Sequence, residues 1–328
     1  MKDFYIADAG RFENAEVTSF FLLSQISARE KRGGGQYLAL TLTDKSGSLD
    51  ARMWEEFAST LSSCSQGCYV KVRARVERYQ NRLQLSLLQM RSAGEHEVDI
   101  RDFQAATQYD VDALWAELTG FVDGMSNGHL QRLLHSFLDD PDIGPAFRAA
   151  PAAKMLHHAW IGGLLEHVVF LLRLCARVAP QYAEEVDPDL LMTAAILHDI
   201  GKVRELSWKS SFSYTTEGQL LGHITIAIGL LREKIAQLDG FPDRLRILVE
   251  HMILSHHGRY EFGSPKLPMT AEAVVFSALD DLEAKMQNMR AEFAKAVDSG
   301  KRADEVTEYS RSMERNLLNS RAFLEEQV

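Results

Sequence analysis

Cysteine is scarce in this 328-residue chain. The three present, Cys64, Cys68 and Cys175, make neither an even disulfide set nor a CxxC pair. Reduced thiols are therefore expected, as in a cytoplasmic protein. Long apolar runs are also missing. No stretch approaches the roughly 18–20 uninterrupted apolar residues of a membrane helix, and the opening MKDFYIADAG has no apolar core of a secretory signal. No membrane partner is expected. Low-complexity tracts are absent as well, and 46% hydrophobic residues over this length suffice for the cores of two domains.

Positive charge is in deficit, with 36 Lys and Arg against 46 Asp and Glu, a net of −10. That balance argues at first against a nucleic-acid partner. Its distribution argues the other way. Residues 11–94 carry 12 basic and 8 acidic side chains, a net of +4, leaving −14 for the remainder. The mild basic excess thus sits at the front of the chain, where a phosphate backbone would be held.

That front part has strand character. NAEVTSFFLLSQIS (14–27), YLALTLTD (37–44), SLDARMW (48–54), GCYVKVRARVERYQ (67–80) and LQLSLLQMR (83–91) are rich in β-branched and aromatic residues, and several alternate in polarity. A short helix is expected within 55–67. Three strands, a helix and two strands is the order of a five-stranded OB-fold barrel. In such a barrel Tyr37, Trp54, Tyr69 and Tyr79 are candidates to stack on bases, with Lys31, Arg32, Arg52, Arg73 and Arg75 to hold phosphates. Arg73 and Arg75 lie two apart on one strand and so share a face. The glycines at 33–35 precede a strand and lack the Lys-Ser/Thr tail of a phosphate loop.

After a charged stretch near residue 95 the pattern turns helical. The apolar run LLMTAAIL ends in HDIGK (198–202), where an imidazole and a carboxylate stand side by side at a helix end and Gly201 lets the chain turn away. Four further polar sites interrupt apolar helical segments: His167, His223, the pair His256-His257, and Asp280. One such histidine is ordinarily a satisfied core residue. The ordered series H…HD…H…HH…D is better explained by one metal site built from several helices. Nitrogen and oxygen donors without thiolate suit Mn²⁺, Fe²⁺, Co²⁺, Ni²⁺ or Zn²⁺. His167, His198, Asp199 and Asp280 are assigned to one ion, and Asp199 bridges to a second held by His223 and His256, with His257 beside them. Two ions about 3.5–4 Å apart clamp both oxygens of an in-line phosphoryl displacement. His251 precedes His256 by five residues, about 140° round a helix, and is left off the ligand face.

The series resembles the signature of HD-domain metal-dependent phosphohydrolases. The longer strings HHAWIGGLLEH, HDIGK, EGQLLGHI, ILSHHG and GSPKLP-x4-EA resemble the YhaM-type 3′→5′ exoribonucleases, in which an OB fold precedes the HD domain. The resemblance covers nearly the whole chain except its extreme C-terminus. It implies a multidomain α+β protein: an OB-fold nucleic-acid-binding domain over 1–95, a helical linker over 96–150, an all-α HD phosphohydrolase domain over 151–295 and a helical tail over 296–328. It favours Asp280 over Asp281 as the last ligand, because an alanine (Ala284) follows four residues on. Mn²⁺ is the favoured ion. The resemblance places Lys154 and His158 beside the substrate pocket, His158 as a catalytic candidate, and Gly263, Ser264 and Pro265 at its mouth. Lys202 either binds a phosphate oxygen or offsets the helix dipole. The expected substrate is single-stranded RNA, with single-stranded DNA as a second polymer, and the C-terminal amphipathic helix suits a homo-oligomer. A nucleotide phosphohydrolase or cyclic-nucleotide phosphodiesterase with a regulatory OB domain is the competing reading.

Overall fold

One long strand, β1 (Glu16–Glu30), organises the N-terminal unit. In the computed structural model, which describes residues 2–31, 34–55, 57, 63–153, 160–208 and 212–325, β1 serves two neighbours. Its first half pairs antiparallel with β4 (Tyr69–Tyr79), its second half with β2 (Gln36–Asp44), and a register shift between Leu23 and Gln25 lies near the changeover. Such an irregularity bends the strand and tightens its twist, which closure of a small barrel requires. β3 (Gly47–Met53) follows β2, and β5 (Arg82–Ser92) pairs antiparallel with β4. A short parallel contact, Ala51 with Leu85 and Arg52 with Ser86, closes the order β1-β2-β3-β5-β4.

Alternation decides which side chains fill this barrel. Leu38, Leu40 and Leu42 of β2 and Val70, Val72, Ala74 and Val76 of β4 point inward and are buried with Phe21, Leu23 and Leu85. The intervening Tyr37, Arg73 and Arg75 must then face outward. Residues ahead of β1 add to the barrel. Phe4 and Ile6 join its core, and the buried ammonium of Lys2 meets Asp44 at 2.8 Å. The helix expected within 55–67 falls largely outside the described residues.

The chain divides into two compact units, Met1–Ala106 with Trp208–Ser211, and Thr107–Ser207 with Phe212–Val328. The second unit is helical. Its elements are α1 (Val111–Asp123), α2 (Gly128–Leu138), α3 (Ile143–Ala149), α4 (Gly163–Val178), α5 (Pro188–Leu197), the short α6 (Lys202–Glu205), α7 (Thr216–Ile235), α8 (Asp243–Ser255), α9 (Ala271–Asp298) and α10 (Ser320–Glu325). Asp110, Asn127, Asp187 and Thr270 cap α1, α2, α5 and α9 by accepting from backbone N–H groups two or three residues on. The Ser- and Thr-rich interruption after HDIGK contains a minimal hairpin, Leu206 with Tyr214 and Ser207 with Ser213. No helix among the described residues is long and apolar enough to cross a membrane.

Two glycines fix the approach of α7 to the HDIGK turn. Gly201 is right-handed helical, so it does not turn the chain away as expected from its position. Its function is close contact: a Cβ there would lie 2.0 Å from the His223 carbonyl oxygen. Gly222 has φ 71° and ψ 155°, a left-sided conformation inside α7 that kinks the helix just before His223. Kink and contact together place the His223 side chain.

Candidate metal centre and nucleic-acid interface

The ligand candidates come from five elements and meet in one place. His167 is on α4, His198 ends α5, Asp199 follows it, His223 lies after the kink of α7, His256 ends α8, and Asp280 is midway along α9. All except His223 and Asp280 are buried, and those two are partly exposed, 15% and 18% at the side chain. On one side, His167 Nε2 lies 3.3 Å from both His198 Nε2 and Asp280 Oδ1, and His198 Nε2 lies 3.2 Å from Asp199 Oδ2. On the other, Asp199 Oδ1 is 3.4 Å from His223 Nε2 and 3.9 Å from His256 Nε2. His257 stands against both rings, 5.3 Å and 4.2 Å between centroids. Asp199 therefore joins two groups of donors, His167-His198-Asp199 and His223-His256-His257, each with its donor atoms within 4.8 Å of one another.

The histidines are oriented in the same sense. An oxygen that only accepts stands opposite Nδ1 in each case: Glu283 for His167 at 2.8 Å, the Ala195 carbonyl for His198 at 3.1 Å, Glu205 for His223 at 3.2 Å and the Ile253 carbonyl for His256 at 2.7 Å. Nδ1–H donates in all four, which leaves Nε2 facing the carboxylates. Among the described residues, Asp199 Oδ1, His223 Nε2 and His257 Nδ1 are buried with no hydrogen-bond partner. Unpaired buried polar atoms are costly, and converging ones fit a cation. The donor set thus fits divalent metal.

Electrostatics agree with the geometry. Burial disfavours charge on His167, yet Asp280 and Glu283 together outweigh it and push the imidazole up to about 10. Burial opposes ionisation of Asp199, but Lys202, His198 and His223 hold its carboxyl well below the usual range. Asp280 is lowered too, with His167 and His198 overcoming its burial. His256 is held neutral by burial and by the adjacent His198 and His257.

Lys202 donates to Asp199 Oδ2 at 2.6 Å and lines a cavity of about 260 Å³ with the candidates His167, Asp199, His256, His257 and Asp280. Asp281, the position passed over for Asp280, is exposed and pairs with Lys285. His251 accepts from the Met269 backbone N–H at 3.0 Å and faces away from the cluster. His158, Lys154 and Arg32 lie outside the described residues.

Two carboxylates escaped the sequence reading. Glu283 stands three residues after Asp280 and so shares its helix face, a signal that was available. Glu205 accepts from both the backbone N–H and Nδ1 of His223, at 2.9 and 3.2 Å. The kink at Gly222 frees that N–H for Glu205, and no sequence pattern announces it. Carboxylates that orient ligating histidines typically contribute about 10–100-fold in metal affinity or activity. Glu283→Ala is therefore expected to weaken Mn²⁺ binding by that order in calorimetry, and Glu283→Gln, which still accepts from Nδ1–H, by less. Equal losses in the two variants would contradict this role.

On the barrel, four candidates come together. Tyr37 and Trp54 stack at 4.8 Å between centroids and 27° between planes. Arg52 donates to the Tyr37 hydroxyl at 3.2 Å, and Lys31 donates to the Trp54 carbonyl at 2.9 Å. Tyr79 is exposed and shares a cavity of about 430 Å³ with Arg52 and Arg82. Arg29, also not singled out in the sequence, lines a second small cavity with Arg52. The remaining candidates differ. Tyr69 is buried against Phe103 and is unavailable for stacking. Arg73 and Arg75 do share the exposed face of β4, but Arg73 donates twice to Glu16 Oε2, at 2.7 and 3.1 Å, and Arg75 donates to the Asn14 carbonyl. β4 does not adjoin β2 or β3 in the barrel order, so the expected basic stripe is separate from the aromatic cluster.

A closed five-stranded barrel and a histidine–aspartate site on helices define an OB fold joined to an HD-domain hydrolase, a class that works with divalent metal. Family models agree. The HD domain matches residues 164–285, and an OB-fold nucleic-acid-binding domain of the tRNA anti-codon type matches residues 22–93. The chain is 37% identical over 272 residues to the 3′-5′ exoribonuclease YhaM of Bacillus velezensis, covering 83% of this chain and 85% of that one. It is 36% identical over 275 residues to YhaM of Bacillus subtilis, covering 84% and 86%. It belongs to the YhaM family of 3′-5′ exoribonucleases. Among solved structures, a replication protein A heterotrimer bound to single-stranded DNA shares 23% identity over 25% of this chain and 60% of its own, with a TM-score of 0.21.

Proposed function

We propose that this chain is a metal-dependent 3′→5′ exoribonuclease that hydrolyses the phosphodiester bonds of single-stranded RNA from the 3′ end. The observation that carries the reading is Asp199, whose two oxygens face two separate groups of histidines. His167, His198, Asp199 and Asp280 would hold one ion, and His223 and His256, with His257 beside them, would hold a second, with Asp199 available to both. Family resemblance favours Mn²⁺, and the nitrogen–carboxylate donor set also suits Fe²⁺, Co²⁺, Ni²⁺ or Zn²⁺. Divalent metal bound there would supply Lewis-acid charge to the phosphoryl group and the departing oxygen.

The remaining roles belong to the chain itself. Glu283 and Glu205 keep His167 and His223 in the tautomer that presents Nε2. Lys202 carries a positive charge at the cavity wall, 2.6 Å from Asp199, from which it reaches a non-bridging phosphate oxygen. His158 is assigned to the substrate side of the pocket on family resemblance. Lys31, Tyr37, Arg52 and Trp54 hold the single strand by stacking and charge, with Arg32, Arg73 and Arg75 in supporting electrostatic roles. Single-stranded DNA offers the same base faces and phosphates and is the second substrate to test.

A time course on 5′-labelled single-stranded RNA with Mn²⁺ tests the whole reading. The expected product is a ladder descending one nucleotide at a time that stalls near a strong hairpin, because stacking platforms need exposed base faces. Internal fragments at early times, free passage through the hairpin, or hydrolysis confined to cyclic dinucleotides would each contradict it. The last outcome favours a nucleotide phosphodiesterase with a regulatory barrel.

A further inference from the structure

The cavity that holds the metal ligands has one wall that the chemistry leaves unexplained. His167, Asp199, His256 and Asp280 form its polar floor, and at its edge stands Phe262, which is 60% exposed. Single exposed aromatics are common on protein surfaces. Three features set this one apart.

First, Phe262 lies on the 3-10 helix Tyr260–Phe262, which begins only three residues after the ligand group His256-His257. Second, the loop that carries it is pinned. The Gly258 N–H donates to the Ser255 carbonyl at 2.9 Å, and that of Ser264 to the Arg259 carbonyl at 3.2 Å. The buried Ser264 hydroxyl reaches the Leu254 and Lys266 carbonyls at 3.2 and 2.7 Å. Gly258 and Gly263, both at positive φ, make the two reversals that this path needs. A loop backbone held this way loses little further freedom when the ring it carries binds. Third, the Arg259 guanidinium carbon lies 5.8 Å from the ring centre, a cation–π distance that adds a second planar group beside it.

We infer that Phe262 is the stacking platform for the 3′-terminal nucleobase, seating the last nucleotide so that its phosphodiester lies over the floor of the cavity. This inference rests on the exoribonuclease reading above. It also gives that reading a specificity: a ring face accepts any of the four bases, so recognition is of a base as such and not of sequence. The barrel cluster and Phe262 are then separate aromatic contacts with different tasks, grip along the strand and registration of the end.

The test compares two 5′-labelled RNAs, one ending in an ordinary nucleotide and one whose terminal ribose lacks a base. Removal of the last residue is measured under single-turnover conditions with full-length protein and Mn²⁺. The parent protein should favour the base-bearing end by roughly 5–150-fold, the range that stacking on one aromatic ring provides. In Phe262→Ala that preference should collapse toward unity, whereas Phe262→Trp should retain it. Circular dichroism and Mn²⁺ content, unchanged in both variants, exclude misfolding as the cause. The inference is overturned if Phe262→Ala keeps the preference, if it slows both substrates by the same factor, or if the parent shows no preference. A parent that removes nothing from either 3′ end but hydrolyses other phosphodiesters overturns the exoribonuclease reading itself, and the platform with it.

Discussion

Asp199→Asn should abolish RNA hydrolysis while leaving the helical unit folded. The substitution keeps the size of the side chain and an acceptor for Lys202, but removes the charge that both histidine groups face. The loss should exceed the roughly 10–100-fold typical of a supporting carboxylate, because the shared ligand itself is altered. Bound metal per chain should fall by at least one equivalent. Asn is the cleaner choice. Asp199→Ala would also strand the largely buried Lys202 ammonium, and breaking a buried ion pair costs about 3–5 kcal/mol. His251→Ala is the control. It removes one acceptor for a backbone N–H, which costs about 1 kcal/mol of stability, and should leave metal content and turnover intact. Normal turnover of Asp199→Asn with full metal content would remove the central assignment.

The double variant Tyr37→Ala/Trp54→Ala should separate grip from cutting. Each stacked base contributes about 1–3 kcal/mol, so affinity for long single-stranded RNA should fall by one to two orders of magnitude. Hydrolysis of a small diester such as bis-p-nitrophenyl phosphate should persist, since its chemistry needs only the metal pocket. Adding Arg52→Ala should also flatten the salt dependence of binding by about 0.7 in log–log slope, one phosphate contact on a single strand. Arg73→Ala should change that slope less, because Glu16 already neutralises Arg73. Undiminished RNA affinity in the double variant would assign the barrel a different task.

Much of this site is legible in the chain. Polar residues that interrupt apolar helical periodicity stand out, and the clean alternation of YLALTLTD marks a half-buried strand without saying which aromatics face outward. The order of strands likewise points to the barrel. Register is less accessible. Tyr69 and Tyr79 belong to the same strand and read alike, yet Tyr69 packs on Phe103 while Tyr79 is exposed at the strand end. The two arginines of β4 share a face as their spacing requires, but spacing is silent on whether Glu16 of β1 lies opposite.

The sequence by itself determined the two kinds of unit and the residues proposed as metal ligands, because periodicity and residue chemistry are local properties of the chain. Only the tertiary structure decided how those residues act together. Glu205 meets His223 across 18 residues and Glu283 meets His167 across 116; spacing puts Glu283 on the face of Asp280, but which histidine each carboxylate meets depends on how the helices pack, and Glu205 has no local signal. Gly201 reads as a turn, but what requires glycine is the His223 carbonyl against it, a contact made by another helix. Phe262 likewise reads as one more loop aromatic. Its exposure at the rim of the metal cavity is set by the fold of the loop and the packing of α8 and α9, where steric exclusion, not sequence spacing, selects the geometry.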